Sequence, residues 1–238
     1  MLLELAGIWP KQLEEALVHL IPKTAGGRRP VGILPALVRL WERARKVDME
    51  GWRVKMERGY DWMARGKGAE KSVWAQSVYE EAARARGDST TGVLLDLVKA
   101  FEQVALNHVW EEGVSMGMPT RVLVLALESC AFARRLTYRG AVSGVSMTLS
   151  AILAGSGFAV DLLLVTLAKG VDEIMLRHER ANTRCTLRAF MVVDDIRFVL
   201  EGHRSRVVSG VARVIDDAME VFEGQLSMEI SRNKEGQE

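Results

Sequence analysis

An α+β fold, in which antiparallel strands pack with helices, is predicted by three features of the sequence. Short runs rich in Val, Ile and Phe lie in pairs around tight polar links, as in residues 189–200, and such pairs are typical of hairpins. Longer segments with apolar residues at helical spacing lie between them. The 238 residues, 48% apolar and 26% charged, suffice for one large globular domain or two small ones.

The first 34 residues predict a helix and then a hairpin. Residues 1–20 carry leucines at helical spacing, and Pro22 ends the helix. Apolar runs at 18–21 and 31–34 flank a Gly-rich turn with three cations, which predicts a hairpin. Its basic tip either holds a triphosphate or is a solvated loop.

Helices and strands alternate through the rest of the chain. The apolar side of the first of these helices is formed by Leu37, Leu40, Trp41 and Ala44. Helices are predicted over residues 35–46, 69–86, 119–133 and 204–223, and another begins at about residue 107. A long helix is predicted after Gly155-Ser156-Gly157 and runs through residue 176. Strands are predicted over residues 91–96, 134–139, 142–149 and 226–230, besides the hairpin at 189–200.

Composition narrows the classes of function. Two cysteines are too few for a disulfide framework or a thiolate metal site. The N-terminus lacks the features of a signal peptide, so we predict an intracellular protein, nuclear or cytoplasmic, that is not secreted. Polar residues interrupt the apolar run at 145–168, and we predict no membrane span. Residues 23–71 contain 13 basic and 6 acidic residues, a local excess of seven positive charges that suits a phosphate-rich partner.

Three carboxylates stand where strands are predicted to end. Asp96 ends the strand at 91–96, and Asp194-Asp195 lie at the link of the hairpin. A buried carboxylate is costly unless it is paired, hydrogen-bonded or bound to a metal, so the pair is either a solvated tip or a cation site. An acidic pair alone means little, because Asp216-Asp217 in a predicted helix is explained by a solvated face. Asp96 alone could also cap the following turn.

In this order, the segments resemble the reverse transcriptase domain of retroelements of the non-LTR and group II intron type, over nearly the whole chain. Ile21-Pro22-Lys23 with Arg29-Pro30-Val31 is similar to the fingers motif in which a Lys and an Arg meet the incoming triphosphate. Leu95-Asp96-Leu97-Val98-Lys99-Ala100-Phe101 is similar to the first catalytic motif. In that motif the Asp binds metal and the aromatic residue screens the sugar 2′ position.

Three further segments carry the same resemblance. Ala154-Gly155-Ser156-Gly157 falls where the family has a Gln-Gly-Ser-Pro loop beside the template and nucleotide. Val192-Val193-Asp194-Asp195 matches the paired-Asp hairpin. Lys234 falls where a lysine lies near the leaving pyrophosphate. The resemblance implies the fingers and palm of a right-hand polymerase, with an antiparallel palm sheet packed with helices and the thumb missing.

The implied organisation is one reverse transcriptase domain over residues 1–238. Residues of about 1–90 would form fingers, part of 107–150 fingers or palm, and about 91–106 and 150–238 palm.

The implied activity is RNA-directed DNA polymerisation, in which two Mg²⁺ ions, or Mn²⁺, assist the addition of dNTPs to a primer 3′-hydroxyl. The expected partners are an RNA template, a DNA primer, a dNTP and further domains of a longer polyprotein. Catalysis is assigned to Asp96, Asp194 and Asp195, and metal binding to these three with Leu97. Nucleotide binding is assigned to Lys23, Arg29, Phe101, Gly155, Ser156 and Lys234.

The chain also departs from the family. Val192-Val193 replaces an aromatic-Ala pair, Ala154 and Gly157 replace the Gln and Pro of the loop, and Glu102 stands where many members have Asp. The sequence stops just after Lys234, which leaves no room for a primer-gripping hairpin or thumb. One alternative is therefore a catalytically inactive nucleic-acid-binding remnant. Another is an unrelated α/β domain with structural acids, in which Asp96 would lie far from Asp194.

Overall fold

The structure, a computed structural model, describes residues 2–24, 26–148 and 150–232. The chain forms two compact units, each built from two stretches of sequence. The first comprises Met1–Met56 and Phe101–Thr166, and the second comprises Glu57–Ala100 and Leu167–Glu238. Each unit has its own sheet and helices, so the predicted α+β class is confirmed. The assignment of segments to fingers and palm stays a prediction.

Helices and strands follow one another along the described residues. The strands are β1 (Glu15–Pro22), β2 (Arg28–Ile33), β3 (Ser89–Asp96), β4 (Ala133–Tyr138), β5 (Ala141–Val142), β6 (Thr186–Val192) and β7 (Asp195–Gly202). The helices are α1 (Leu2–Ala6), α2 (Ala36–Met56), α3 (Ala69–Ala85), α4 (Ala100–Gln103), α5 (Leu106–Ser115), α6 (Thr120–Cys130), α7 (Ala159–Arg180) and α8 (Arg204–Ala218). Within the described ranges, no helix combines the length and apolar content needed to cross a bilayer.

The sheet of the first unit has the strand order β2-β1-β4-β5. β1 pairs antiparallel with β2 and parallel with β4, and it buries Ala16 and Val18 while exposing Leu17. This alternation is typical of a strand with one covered face. The predicted hairpin is confirmed, but among the described residues only α1 is present of the helix predicted over residues 1–20, and the prediction is wrong where β1 begins. Leucines spaced by three and four residues suit a helix, yet pairing with two other strands satisfies the backbone of this segment instead.

Helix α2 is longer than predicted and buries a different face. It runs to Met56, and its buried side chains include Val38 and Glu42. Leu37 and Leu40, predicted to form the apolar side, are 61% and 62% exposed, so that prediction is wrong. Apolar residues occur on two sides of this helix, and neighbouring elements cover only one of them.

The sheet of the second unit has the order β3-β7-β6 and is antiparallel throughout. Arg197 of β7 donates hydrogen bonds to Gln76 and Glu80, so α3 lies on one face. On the other face, α8 packs so closely that a Cβ on Gly210 would lie 2.6 Å from Leu200. The hairpin at 189–200, the strand at 91–96 and the helix at 69–86 are confirmed.

The predicted strand at 226–230 is wrong. Helix α8 is continued by a π-helical segment through Gln225, and only an isolated bridge between Ile230 and Leu97 follows. Hydrogen bonds on either side of that bridge tie this segment to the end of β3, from Val98 N–H to the Glu229 carbonyl and from Ser231 N–H to the Asp96 carbonyl.

Both units have fully buried cores. In the first unit the largest such side chains include Leu34, Met49, Met118, Leu123, Leu125, Ile152, Phe158, Leu162 and Leu163. In the second unit they include Leu167, Phe198 and Phe222. The middle strand β7 is buried at Phe198, Val199 and Leu200, which holds the start of that strand in a fixed position.

Candidate active site

Asp96 and Asp195 are cross-strand partners in the second unit. β3 ends at Asp96, β7 begins at Asp195, and the register places the two directly opposite each other. Such partners point to the same face, with Cβ atoms about 4.5–5.5 Å apart. Asp194 adjoins Asp195 in the turn before β7. The sheet therefore brings the three predicted acids together, contrary to the hypothesis of an unrelated domain with Asp96 far from Asp194.

The turn that presents these acids is strained. Val192 pairs with Asp195, so Val193 and Asp194 form a two-residue link between β6 and β7. Val193 has a φ of +60°, in the left-handed region that β-branched residues rarely adopt. Gly or Asn is the usual choice at such a position, and strain of this kind costs about 1–3 kcal/mol. The strain lies directly beside the acidic pair.

The three carboxylates influence one another electrostatically. Burial raises the pKa of Asp195, and the charges of Asp194 and Asp96 raise this pKa further. In the described part of the chain, no Lys or Arg forms an ion pair with any of the three. Carboxylate oxygens are the ligands that Mg²⁺ prefers, so the donor type and the uncompensated charge fit a divalent cation.

These acids do not form a finished metal site. Among the described residues, His, Cys, Asp and Glu side chains form no group of three arranged to hold a metal ion. Leu97, predicted to contact metal, has a buried apolar side chain, which leaves only its backbone carbonyl as a ligand. The hydrogen bond from Ser231 N–H to the Asp96 carbonyl, 2.7 Å long, fixes the backbone next to it.

Arg197 lies on the same face of the sheet, opposite Leu94. Its guanidinium donates to Gln76 at 2.7 Å and to Glu80 at 2.9 Å, so its charge is compensated by α3. Gly92 leaves room for it, because a Cβ there would lie 2.9 Å from Arg197 Nε. Leu94 is 68% exposed, which leaves this face open beside the acids. Arg197 was not among the predicted site residues, although it is a charged residue inside an otherwise apolar predicted strand and could have been noticed for that reason.

In the first unit, backbone hydrogen bonds join the loop around Gly155 to two other segments, each of which contains a predicted nucleotide-binding residue. Gly32 N–H in β2, the strand that carries Arg29, donates to the Ala154 carbonyl at 2.5 Å. Ile152 N–H donates to the Phe101 carbonyl at 2.8 Å. Gly155 has a φ of +117°, and a Cβ on it would lie 2.2 Å from the Gly32 carbonyl oxygen. Only glycine fits this position.

Ser156 points into the protein. Its hydroxyl donates to Glu42 Oε1 at 2.6 Å and accepts from Phe158 N–H at 3.2 Å. Ser156 and Glu42 are both buried. The Ser156 hydroxyl is therefore engaged inside the protein and does not face a ligand at the loop surface. Sequence reasoning missed Glu42, because it predicted the other side of α2 as the buried face, whereas Val38 and Glu42 are among the buried residues.

Lys23 and Arg29 are exposed on the β1–β2 hairpin of the first unit, and Arg29 lies opposite Ile21. Neither side chain forms an ion pair with a residue that the structure describes. Arg28 instead stacks its guanidinium 3.9 Å from the centre of the Tyr138 ring. The hairpin thus presents two cations for an anion. Lys234 lies outside the described residues.

The fold is similar to that of telomerase, a reverse transcriptase. No family model and no curated protein matches the chain. A truncated apo telomerase from Candida tropicalis matches with a TM-score of 0.62 at 12% identity, over 95% of this chain and 50% of that one. Telomerase from Candida tropicalis in complex with a TWJ fragment of telomeric RNA gives 0.67 at 10% identity, over 95% and 41%. The corresponding Candida albicans complex gives 0.61 at 10% identity, over 96% and 44%.

These comparisons show a reverse-transcriptase-like fold. The chain spans half or less of the length of the telomerases it matches.

Proposed function

We propose that this chain is the polymerase core of an intracellular RNA-directed DNA polymerase from a retroelement of the non-LTR or group II intron type. One observation carries the proposal: Asp96 lies opposite Asp195, with Asp194 in the adjoining turn, within a reverse-transcriptase-like fold. Nucleotidyl transfer by two metal ions needs clustered oxygen ligands, and the proposal assigns that role to these three carboxylates.

In this proposal the three acids act through their charge, and Phe101 acts through its shape. Asp96 and Asp194 would hold two Mg²⁺ ions, or Mn²⁺ in their place, supported by Asp195 and the backbone carbonyl of Leu97. Such ions would supply positive charge for the attacking and leaving oxygens of the transfer. Phe101 screens the sugar 2′ position.

The cations act on the triphosphate. Lys23 and Arg29 offset its charge, Lys as a point charge and Arg as a fork that can bind two oxygens at once. Lys234 serves the leaving pyrophosphate. The basic residues that are in excess in segment 23–71 contact the backbone of the RNA template. This contact weakens as the salt concentration rises. The DNA primer and further domains of a longer polyprotein complete the assembly.

The second candidate is a catalytically inactive nucleic-acid-binding remnant. Two observations favour it. The acids form no convergent group of three among the described residues, and the Ser156 hydroxyl is bonded inward. In this case the basic segment would bind RNA while the acids hold no ions productively.

Primer extension on an RNA template with Mg²⁺ separates the two candidates. We expect wild type to incorporate dNTPs and Asp194→Ala to fall to background. Asp216→Ala, which removes an acid of the α8 pair Asp216-Asp217, should behave as wild type. Equal incorporation by wild type and Asp194→Ala would overturn the role of Asp194. Salt-sensitive RNA binding by a wild-type protein that incorporates nothing would favour the remnant.

A further inference from the structure

The buried carboxylate of Glu42 lies behind the loop Gly155-Ser156-Gly157, in the first unit. Glu42 is 5% exposed, although it sits on a helix with an open solvent face. Its carboxylate accepts a hydrogen bond from Ser156 Oγ at 2.6 Å, and the backbone of Gly157 lies beside its other oxygen, since a Cβ on Gly157 would be 3.2 Å from Glu42 Oε2. Burial raises the pKa of Glu42, while these two neighbours and Arg39 lower it. Burying a carboxylate is costly unless it is paired or hydrogen-bonded, so the hydrogen bond from Ser156 is what makes the position tolerable.

The opposite side of the loop is fixed by β2. Gly32 N–H bonds to the Ala154 carbonyl, and Gly155 lies against the Gly32 backbone with no room for a side chain. The loop is therefore held between Glu42 on one side and the strand that carries Arg29 on the other. The lack of a side chain at Gly157 suits this arrangement, because a Cβ there would lie only 3.2 Å from Glu42 Oε2.

We propose that Glu42 is a positioning residue for nucleotide binding, which holds the loop at residues 154–157 against β2 and so fixes the loop backbone relative to Arg29. This inference rests on the proposed function, which assigns Arg29 and the loop to the incoming nucleotide. Glu42 touches neither nucleotide nor metal in this role. It acts through Ser156, whose hydroxyl it holds by a hydrogen bond, and through the close approach of the Gly157 backbone to its carboxylate.

A purely structural role makes a different prediction. If Glu42 only contributes to packing, its replacement lowers stability and leaves the nucleotide affinity of the folded protein unchanged. Replacing a buried charge by a neutral group of similar size is often tolerated. Glu42→Gln is therefore expected to fold, because its amide oxygen still accepts from Ser156. The new NH₂ group, however, replaces the Oε2 atom that lies beside the Gly157 backbone, and it removes the negative charge there.

The experiment measures dNTP affinity of the full chain with Mg²⁺, using a fluorescent dATP analogue. We expect Glu42→Gln to weaken binding about tenfold, because the hydrogen bond from Ser156 then no longer has a charged acceptor. Ser156→Ala should weaken it less. The double variant should lose no more than Glu42→Gln alone, since both changes break one network. Glu50→Gln, an exposed acid of the same helix, should bind as wild type.

Amide hydrogen exchange at residues 154–158 gives the second readout. We expect faster exchange in Glu42→Gln, with wild-type protection in β1. Unchanged affinity or unchanged exchange in folded Glu42→Gln would overturn the positioning role, as would additive losses in the double variant. A wild-type chain that binds no dNTP would overturn the nucleotide assignment together with the proposed function. The exchange data would then still decide whether Glu42 holds the loop.

Discussion

Asp96 and Asp195 face the same side of the sheet from directly opposite positions on β3 and β7. Like charges at such positions destabilise an antiparallel pair, and Asp194 adds a third charge beside them. In the described part of the chain no basic side chain compensates them. Repulsion among these three carboxylates therefore lowers stability at one end of the sheet. Such a loss of stability is typical of a site shaped for function rather than for stability.

Neutralising Asp195 should stabilise the protein at neutral pH. Its pKa is raised in the folded state by burial, by Asp194 and by Asp96. A raised pKa favours the folded state at low pH, and that contribution is lost as pH rises through the folded pKa. Asp195→Asn should therefore have the larger free energy of unfolding at pH 7, by less than about 1 kcal/mol because the side chain is largely exposed.

Urea unfolding at pH 7 and pH 4 checks this expectation. The advantage of Asp195→Asn should shrink at pH 4, where the wild-type carboxyl is protonated more readily. Asp216→Asn, which removes an exposed acid of α8, serves as the matched control and should not have the larger free energy of unfolding at pH 7. A variant less stable than wild type at pH 7 would contradict the argument.

Local sequence signals were enough to predict the Val- and Phe-rich hairpin and the strand ending in Asp96. The approach of the acids was predicted only by the resemblance to reverse transcriptases, because residues 96 and 194 are far apart in the sequence. The strand β1 was not predictable from local signals. Its leucine spacing suits a helix, and what decides its structure is pairing with β4, more than a hundred residues away. Glu42 was missed for a similar reason, because only the packed structure shows which face of α2 is covered.

Val193→Gly should stabilise the protein. Glycine adopts the positive φ of this turn without strain, which recovers about 1–3 kcal/mol, and its extra freedom in the unfolded chain costs about 0.5–1 kcal/mol. We expect a net gain of about 1 kcal/mol in the free energy of unfolding. Val192→Gly, one residue earlier in β6 and free of a positive φ, should lose stability instead. Parallel losses in both variants would show that the turn is not strained.

Gly155→Ala should be strongly destabilising. Alanine would adopt an unfavourable φ and push its Cβ into the Gly32 carbonyl oxygen, for a combined cost of about 2–4 kcal/mol. Gly51→Ala is the matched control, because its Cβ meets nothing within 4 Å and alanine favours a helix interior. That variant should gain about 0.5–1 kcal/mol. Thermal unfolding of both would test the close contact of loop and strand, and a tolerated Gly155→Ala would refute it.

Mg²⁺ should stabilise the protein through the acids of the β3 and β7 strands. An ion that binds only the folded state stabilises it by about 2.7 kcal/mol at a hundred times its Kd. We expect millimolar Mg²⁺ to raise the Tm of wild type and of Asp216→Asn, and a chelator to reverse the increase. Asp96→Asn should show little increase, because one ligand and one unit of negative charge are gone. Matched ionic strength in NaCl controls for screening, which relieves repulsion between the acids without a bound ion. An equal Tm increase in NaCl, or in Asp96→Asn, would mean that Mg²⁺ acts through general screening and not at this site.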